Sequence, residues 1–242
     1  MRQRRSKTPR GFWCPRLHPL LALLLSVAFL FSGCSTLKEL KEAKADAAAG
    51  KYQELAAREV ACKPTAAGCN QLHLIKGDAC FRLAKEGVNP ENHYACAVEH
   101  LEKGIELTKT WQSGELDLNR AQTYENLLES LRNLQDLQRG TAAQATGARF
   151  LEVAEEFERL EPNNLGAIYF AAKARMRALQ PELLHITSAN RGLLCSRLKK
   201  IRAPVARVLA RPPAENWSRY EQNYRQLDRE LTLAQSLVPD CP

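Results

Sequence analysis

Eight cysteines supply most of the chemistry open to this 242-residue chain. Cys14 and Cys34 lie near its start; Cys62, Cys69, Cys80, Cys96, Cys195 and Cys241 are spread through the rest. Such thiols can pair with each other, hold a soft metal ion or carry a covalent group. Cys69 and His73 are spaced i, i+4, as are Cys96 and His100, so on helices each pair would share a face and could ligate one ion. No Cys-x-x-Cys motif is present, nor the Cys-x-x-Cys-His signature of covalently attached haem. Metal is the rival to disulfide formation, and which of the two holds depends on the compartment.

The N-terminus decides the compartment. Residues 1–33 carry six basic groups (Arg2, Arg4, Arg5, Lys7, Arg10, Arg16) and no acid. An apolar run of 13 residues follows, Pro19 to Phe31. A spanning helix needs about 20 residues, so this length suits the core of a cleaved export signal. Ser32-Gly33 then places small residues before Cys34.

Leu30-Phe31-Ser32-Gly33-Cys34 resembles the lipobox of bacterial lipoproteins, with Phe31 where the family usually has Leu. The resemblance implies that residues 1–33 are removed as a signal peptide. It also implies that Cys34 carries diacylglycerol in thioether linkage, and often an acyl chain on its new amine. Two or three chains make a lasting anchor, since each buried methylene contributes about 0.8 kcal/mol. In that family Asp after the cysteine favours the inner membrane. Ser35 stands there, which resembles outer-membrane lipoproteins facing the periplasm.

Two consequences follow. The chain carries 35 Lys and Arg against 27 Asp and Glu, a net charge of +8. Six of those cations lie in residues 1–33, so residues 34–242 hold 29 against 27, a net +2. The basic balance is thus a targeting feature and gives no reason to expect nucleic-acid binding. Cys14 leaves with the leader and Cys34 is lipidated, so an even six remain for disulfides in an oxidising compartment. Six cysteines allow 15 pairings. The nearest-neighbour set is Cys62–Cys69, Cys80–Cys96 and Cys195–Cys241. On that reading no metal and no cofactor are expected, and His73, His93 and His100 are ordinary helix-face residues.

Helical periodicity runs through residues 34–242, with no clear alternating strand. Leu37, Leu40, Ala43 and Ala47 begin the first stripe, and Gly50 ends it. Tyr52, Leu55, Ala56 and Val60 mark a second. Leu72, Ile75, Ala79 and Leu83 mark a third, and Tyr94, Ala97, Leu101 and Ile105 a fourth. A polar break at Gln112-Ser113-Gly114 precedes a long stripe from Ala121 to Leu137. The small residues from Gly140 to Gly147 read as a linker. Later stripes run from Phe150 to Phe157, from Leu165 to a stop before Pro181, from Leu193 to Ile201, and from Trp217 to Ala234 after Pro212-Pro213. About nine helices joined by short turns make an all-α antiparallel array of helical hairpins, and 209 residues can bury a real core. We read residues 34–242 as one continuous domain; two lobes meeting near residues 139–147 is the alternative.

Several hairpins resemble tetratricopeptide repeats, whose unit is two helices in about 34 residues. Gly77 and Ala79 stand at the family's small first-helix positions, and Ala97 and Gly104 at its second-helix ones. Ala48 to Ala56 resembles the turn between paired helices, and Phe157 to Tyr169 one repeat running into the next. The likeness covers residues 43–180, with a long turn after Phe81 and drifting spacing. It implies a right-handed superhelical stack that binds proteins. As in other lipoproteins of this kind, the partner would be one or more envelope proteins awaiting assembly. An accessory or ligand-binding lipoprotein of a solute transporter is the alternative.

No catalytic residue is expected. Gly-x-Ser-x-Gly, His-Glu-x-x-His and phosphate-cradling glycine loops are all missing. Glu152, Glu155, Glu156 and Glu158 read as a solvated face, as does the basic run Arg197 to Arg211. Trp217, Tyr220 and Tyr224 read as core packing. The sharpest expectation is the anchor: Cys34→Ala should move the protein from the membrane fraction to the soluble one, and a variant that stays bound would refute lipidation there.

Overall fold

The computed structural model describes residues 35–108, 119–213 and 215–241. Cys34, the leader and the Gln112-Ser113-Gly114 break lie outside them. Nine helices are present among the described residues: α1 (35–48), α2 (Tyr52–Ala57), α3 (Cys69–Lys85), α4 (Pro90–Leu107), α5 (Arg120–Leu137), α6 (Gly140–Leu160), α7 (Leu165–Leu183), α8 (Arg191–Ala210) and α9 (Trp217–Ser236). No strand occurs among the described residues.

Local chemistry sets the boundaries. Asn119 and Asn164 cap α5 and α7, their side chains accepting from Gln122 N (2.9 Å) and Ala167 N (3.2 Å). At the end of α3, Gly87 adopts φ +81°. Its amide bonds Ala84 O while that of Val88 bonds Leu83 O, a Schellman closure that suits a residue without Cβ. Pro90 then opens α4 at its first turn, where the missing N–H costs nothing.

Two expectations change. Gly140 to Gly147 is the start of α6, not a linker. Ala142, Ala143, Ala145 and Ala148 favour helix, and a Cβ on Gly147 would run into the Gln135 amide of α5. The small residues there permit a close helix crossing. Helix α7 also runs past Pro181 to Leu183, because the hydrogen bond that Pro removes falls in its last turn.

Each helix packs on the next in sequence from α2 to α9. Odd-numbered helices also pack on one another: α3 on α5, α5 on α7, and α7 on α9. The even-numbered helices make no comparable contact among themselves among the described residues. The odd helices are thus a tight inner layer, and α4, α6 and α8 a splayed outer one. One apolar core runs from Leu74 to Val238 across both layers. A second, smaller one joins Leu40, Ala43 and Leu55 to Leu72, Ile75 and Ala79. Helix α3 contributes to both.

Disulfides join Cys62 to Cys69, Cys80 to Cys96 and Cys195 to Cys241. The second staples α3 to α4, and the third ties the C-terminus to α8. Each closes a loop of the unfolded chain, worth about 2–4 kcal/mol on the chain-entropy account.

The α3–α4 crossing is the closest in the array. A Cβ on Gly77 would lie 2.7 Å from Leu101 Cγ and 2.9 Å from its backbone N. A Cβ on Gly104 would strike Leu74 in the same way. Gly77→Val should therefore cost about 1–3 kcal/mol by overpacking. Gly192, with nothing within 4 Å on the first turn of α8, is the counterpart. Gly192→Ala should stabilise by about 0.5–1 kcal/mol. Urea unfolding of both variants checks this, and a neutral Gly77→Val would show that the crossing yields more than its geometry allows.

Candidate functional site

The inner layer carries a ladder of polar side chains. Asp78 on α3 accepts from Arg82 (2.7 Å) and from Asn126 Nδ2 on α5 (3.0 Å). Asn126 Oδ1 in turn accepts from Gln122 Nε2 at 2.7 Å. Lys85 on α3 meets Glu129 on α5 at 3.4 Å. Across the layer Arg219 of α9 pairs with Glu125 of α5 at 2.5 Å, and Lys173 of α7 with Glu230 of α9 at 2.5 Å. Glu125 and Asn126 are buried, so these bonds are needed to offset their desolvation.

At one end of the ladder is an open cleft of about 520 Å³. Helices α5, α7 and α9 all begin there, and Asn119, Asn164 and Asn216 stand at their N-caps. The walls also include Gln122, Glu125, Glu161, Asn163, Arg219 and Tyr220. Burial pushes the Glu125 carboxyl up, opposed by Tyr220 and by the Arg219 charge. Tyr220 is 5% exposed, and its hydroxyl has no partner at hydrogen-bonding geometry among the described residues. Burial and then the Glu125 charge hold that hydroxyl far above the ordinary tyrosine range. Gly166 makes the approach possible, since a Cβ there would lie 2.5 Å from Glu125 Oε1 and 2.7 Å from Tyr220 Oη. The arrangement offers directional hydrogen bonds in a wall whose Arg219 is already paired to Glu125 and whose Glu161 is paired to the neighbouring Arg120.

The residues singled out in the sequence fall as follows. Tyr224 is fully buried and donates to Leu165 O at 2.9 Å, and Trp217 packs against it at 5.8 Å. Tyr220 is the exception in that stripe: it lines the cleft, and its buried hydroxyl lies beside Glu125. The acidic set on α6 is engaged: Glu155 and Glu158 pair with Arg175, Glu152 with Arg149, and Glu156 accepts from Tyr124 Oη at 2.8 Å. In the basic run, Arg197 pairs with Glu182 and Arg202 with Asp228, while Lys199, Lys200, Arg207 and Arg211 are exposed. Cys69 and Cys96 are disulfide-bonded. His73 and His100 turn towards each other, Nδ1 to Nδ1 at 2.8 Å. His93 Nδ1 lies against Val88 O.

Sequence reading missed the ladder and the cleft. Arg219 and Glu125 are 94 residues apart, and only the buried charge on α5, in an otherwise apolar stripe, hinted at them. No family model, curated protein or solved structure matches the chain.

The Glu125–Arg219 pair has a pH signature. Glu125 binds its proton more tightly when folded than its ordinary value of 4.5 in the unfolded chain. Its contribution to stability is therefore full below pH 4.5 and is lost as pH rises through the folded value. Arg219→Ala leaves a buried carboxylate unpaired and should cost about 1–3 kcal/mol near neutral pH. At low pH, where Glu125 is neutral, the cost should be smaller. Unfolding free energies of the variant at pH 4 and pH 7 check this, and equal losses at both would mean that the pair is not holding Glu125 in its charged form.

Proposed function

We propose that this protein is a lipid-anchored envelope lipoprotein, held through Cys34, whose tetratricopeptide-like helical array is a protein-binding scaffold or assembly factor. Residues 1–33 serve as its signal peptide, and the array faces the periplasm. The inner layer carries this reading. Odd helices packed on one another form a continuous surface across repeats, as in stacked-hairpin proteins. That surface bears hydrogen-bonding groups and ends in a cleft wide enough for a peptide segment. Helix α1 begins within two residues of Cys34, so the tether is short and the partner lies at the membrane surface. None of the described helices is long and apolar enough to cross a membrane.

The second reading, an accessory or ligand-binding lipoprotein of a solute transporter, has one observation in its favour. The cleft is walled by Asn119, Gln122, Glu125, Asn163 and Arg219, side chains that a small polar ligand could hydrogen-bond. Photo-crosslinking in cells separates the two. A crosslinking residue at exposed Asn163, on the cleft rim, should trap one discrete envelope protein, and the same residue at Lys199 on outer helix α8 should not. Capture at Lys199 alone would place binding on the outer layer and sink the scaffold proposal as stated. No adduct at either site, with a small molecule retained in a Tyr220-dependent manner, would favour the second reading.

A further inference from the structure

The chain turns back on itself just before α3, and three metal-binding side chains meet there. Ala66 N bonds Lys63 O at 2.8 Å, Cys69 N bonds Ala66 O at 3.2 Å, and Gly68 at φ +84° completes the turn. This return brings Cys62 beside Cys69, the first residue of α3, with His73 one helical turn further on. The donor atoms of Cys62, Cys69 and His73 all lie within 4.8 Å of one another. A tetrahedral zinc ion asks for S···S of about 3.8 Å and S···N of about 3.6 Å, given Zn–S near 2.3 Å and Zn–N near 2.0–2.1 Å. His100, on the facing helix α4, holds the His73 ring through the 2.8 Å Nδ1–Nδ1 contact and stacks on it at 5.1 Å between centroids. Metal-binding imidazoles are commonly oriented by just such an outer partner.

We propose that Cys62, Cys69 and His73 form a redox-gated site for zinc or a similar soft divalent ion, with His100 as its positioning residue. In the disulfide form the sulfurs are committed to each other and the site is closed. A dithiol reductant opens it: the Cys62–Cys69 bond breaks, the pair takes up two electrons and two protons, and the dithiol becomes a disulfide. The ion then binds both sulfurs as thiolates, releasing their two protons to solvent, and takes a neutral nitrogen of His73.

Three features favour this. Cys69 sits at a helix N-terminus, where a thiolate is stabilised. Cys62 is half-buried, so a reductant can reach the bond from that side. The smaller core of α1, α2 and α3 holds the turn in place when the disulfide is open.

Cobalt(II) is the probe. The purified full chain, oxidised, should give no tetrahedral thiolate spectrum with Co²⁺. After a phosphine reductant it should bind one equivalent, with sulfur-to-cobalt charge transfer, and zinc should displace it. Cys195→Ser with Cys241→Ser should leave the spectrum unchanged. His73→Gln should lose it while keeping wild-type helix content by circular dichroism in the oxidised state. His100→Gln should bind about 10–100-fold more weakly. X-ray absorption of the zinc-loaded, reduced wild type gives a readout independent of any variant, expected to show two sulfurs and at least one imidazole nitrogen. A reduced protein without the charge-transfer band, a full spectrum in His73→Gln, or a zinc shell without two sulfurs would each overturn the proposal.

Discussion

The structure turns on how many helices crowd around α5. Helix α5 touches α3, α4, α6 and α7, so little of its surface is left for water. Yet it carries Thr123, Glu125, Asn126 and Ser130, all buried. Each must find a partner or destabilise the array. Thr123 and Ser130 turn back to carbonyls of their own helix, Asn119 O and Asn126 O. Glu125 and Asn126 have no such recourse and reach to α9 and α3. The polar ladder is thus a consequence of close packing, and it fixes the register in which the hairpins stack. Apolar contacts alone would tolerate sliding; a guanidinium on a buried carboxylate does not.

Close crossings explain the glycines, three of them between consecutive helices and Gly166 between α7 and its odd-numbered neighbours. Gly77, Gly104, Gly147 and Gly166 each stand where a Cβ would meet a neighbouring helix. Three of these contacts are with side chains that matter elsewhere: Leu74 and Leu101 in the main core, and Glu125 at the cleft. Small residues at the crossings and charged residues in the inner layer are two sides of one arrangement. The small ones bring the helices together, and the charged ones are what that approach buries.

The two ends of the array differ in character. Near α3, a tight turn gathers sulfur and imidazole, groups suited to redox and metal chemistry. Near the start of α9, three helix N-termini, amides and a tyrosine surround a cleft suited to hydrogen-bonded recognition. The proposed anchor at Cys34 would place the first of these nearer the lipid, since only α1 and α2 lie between Cys34 and the turn before α3 in the sequence.

Much of this was written locally. Apolar spacing of three and four residues specified the helices, Asn and Gly placed their caps, and hairpin connections kept neighbouring cysteines close enough to bond. The small residues at 77 and 104 already marked where paired helices cross. The same local reasoning misread Gly140 to Gly147, because small residues serve both flexible links and tight crossings, and only the presence of Gln135 opposite separates them. It also grouped His100 with Cys96 on its own helix, when the crossing of α3 and α4 sets that imidazole against His73. By itself the sequence determined most of the helical segments and which face of each is apolar, since both are set by neighbours within a few turns. Tertiary structure alone decided that Glu125 meets Arg219, that Tyr220 lines a cleft and that His73 meets His100. Those pairings join residues 27 to 94 positions apart, whose partners are chosen by how whole helices stack.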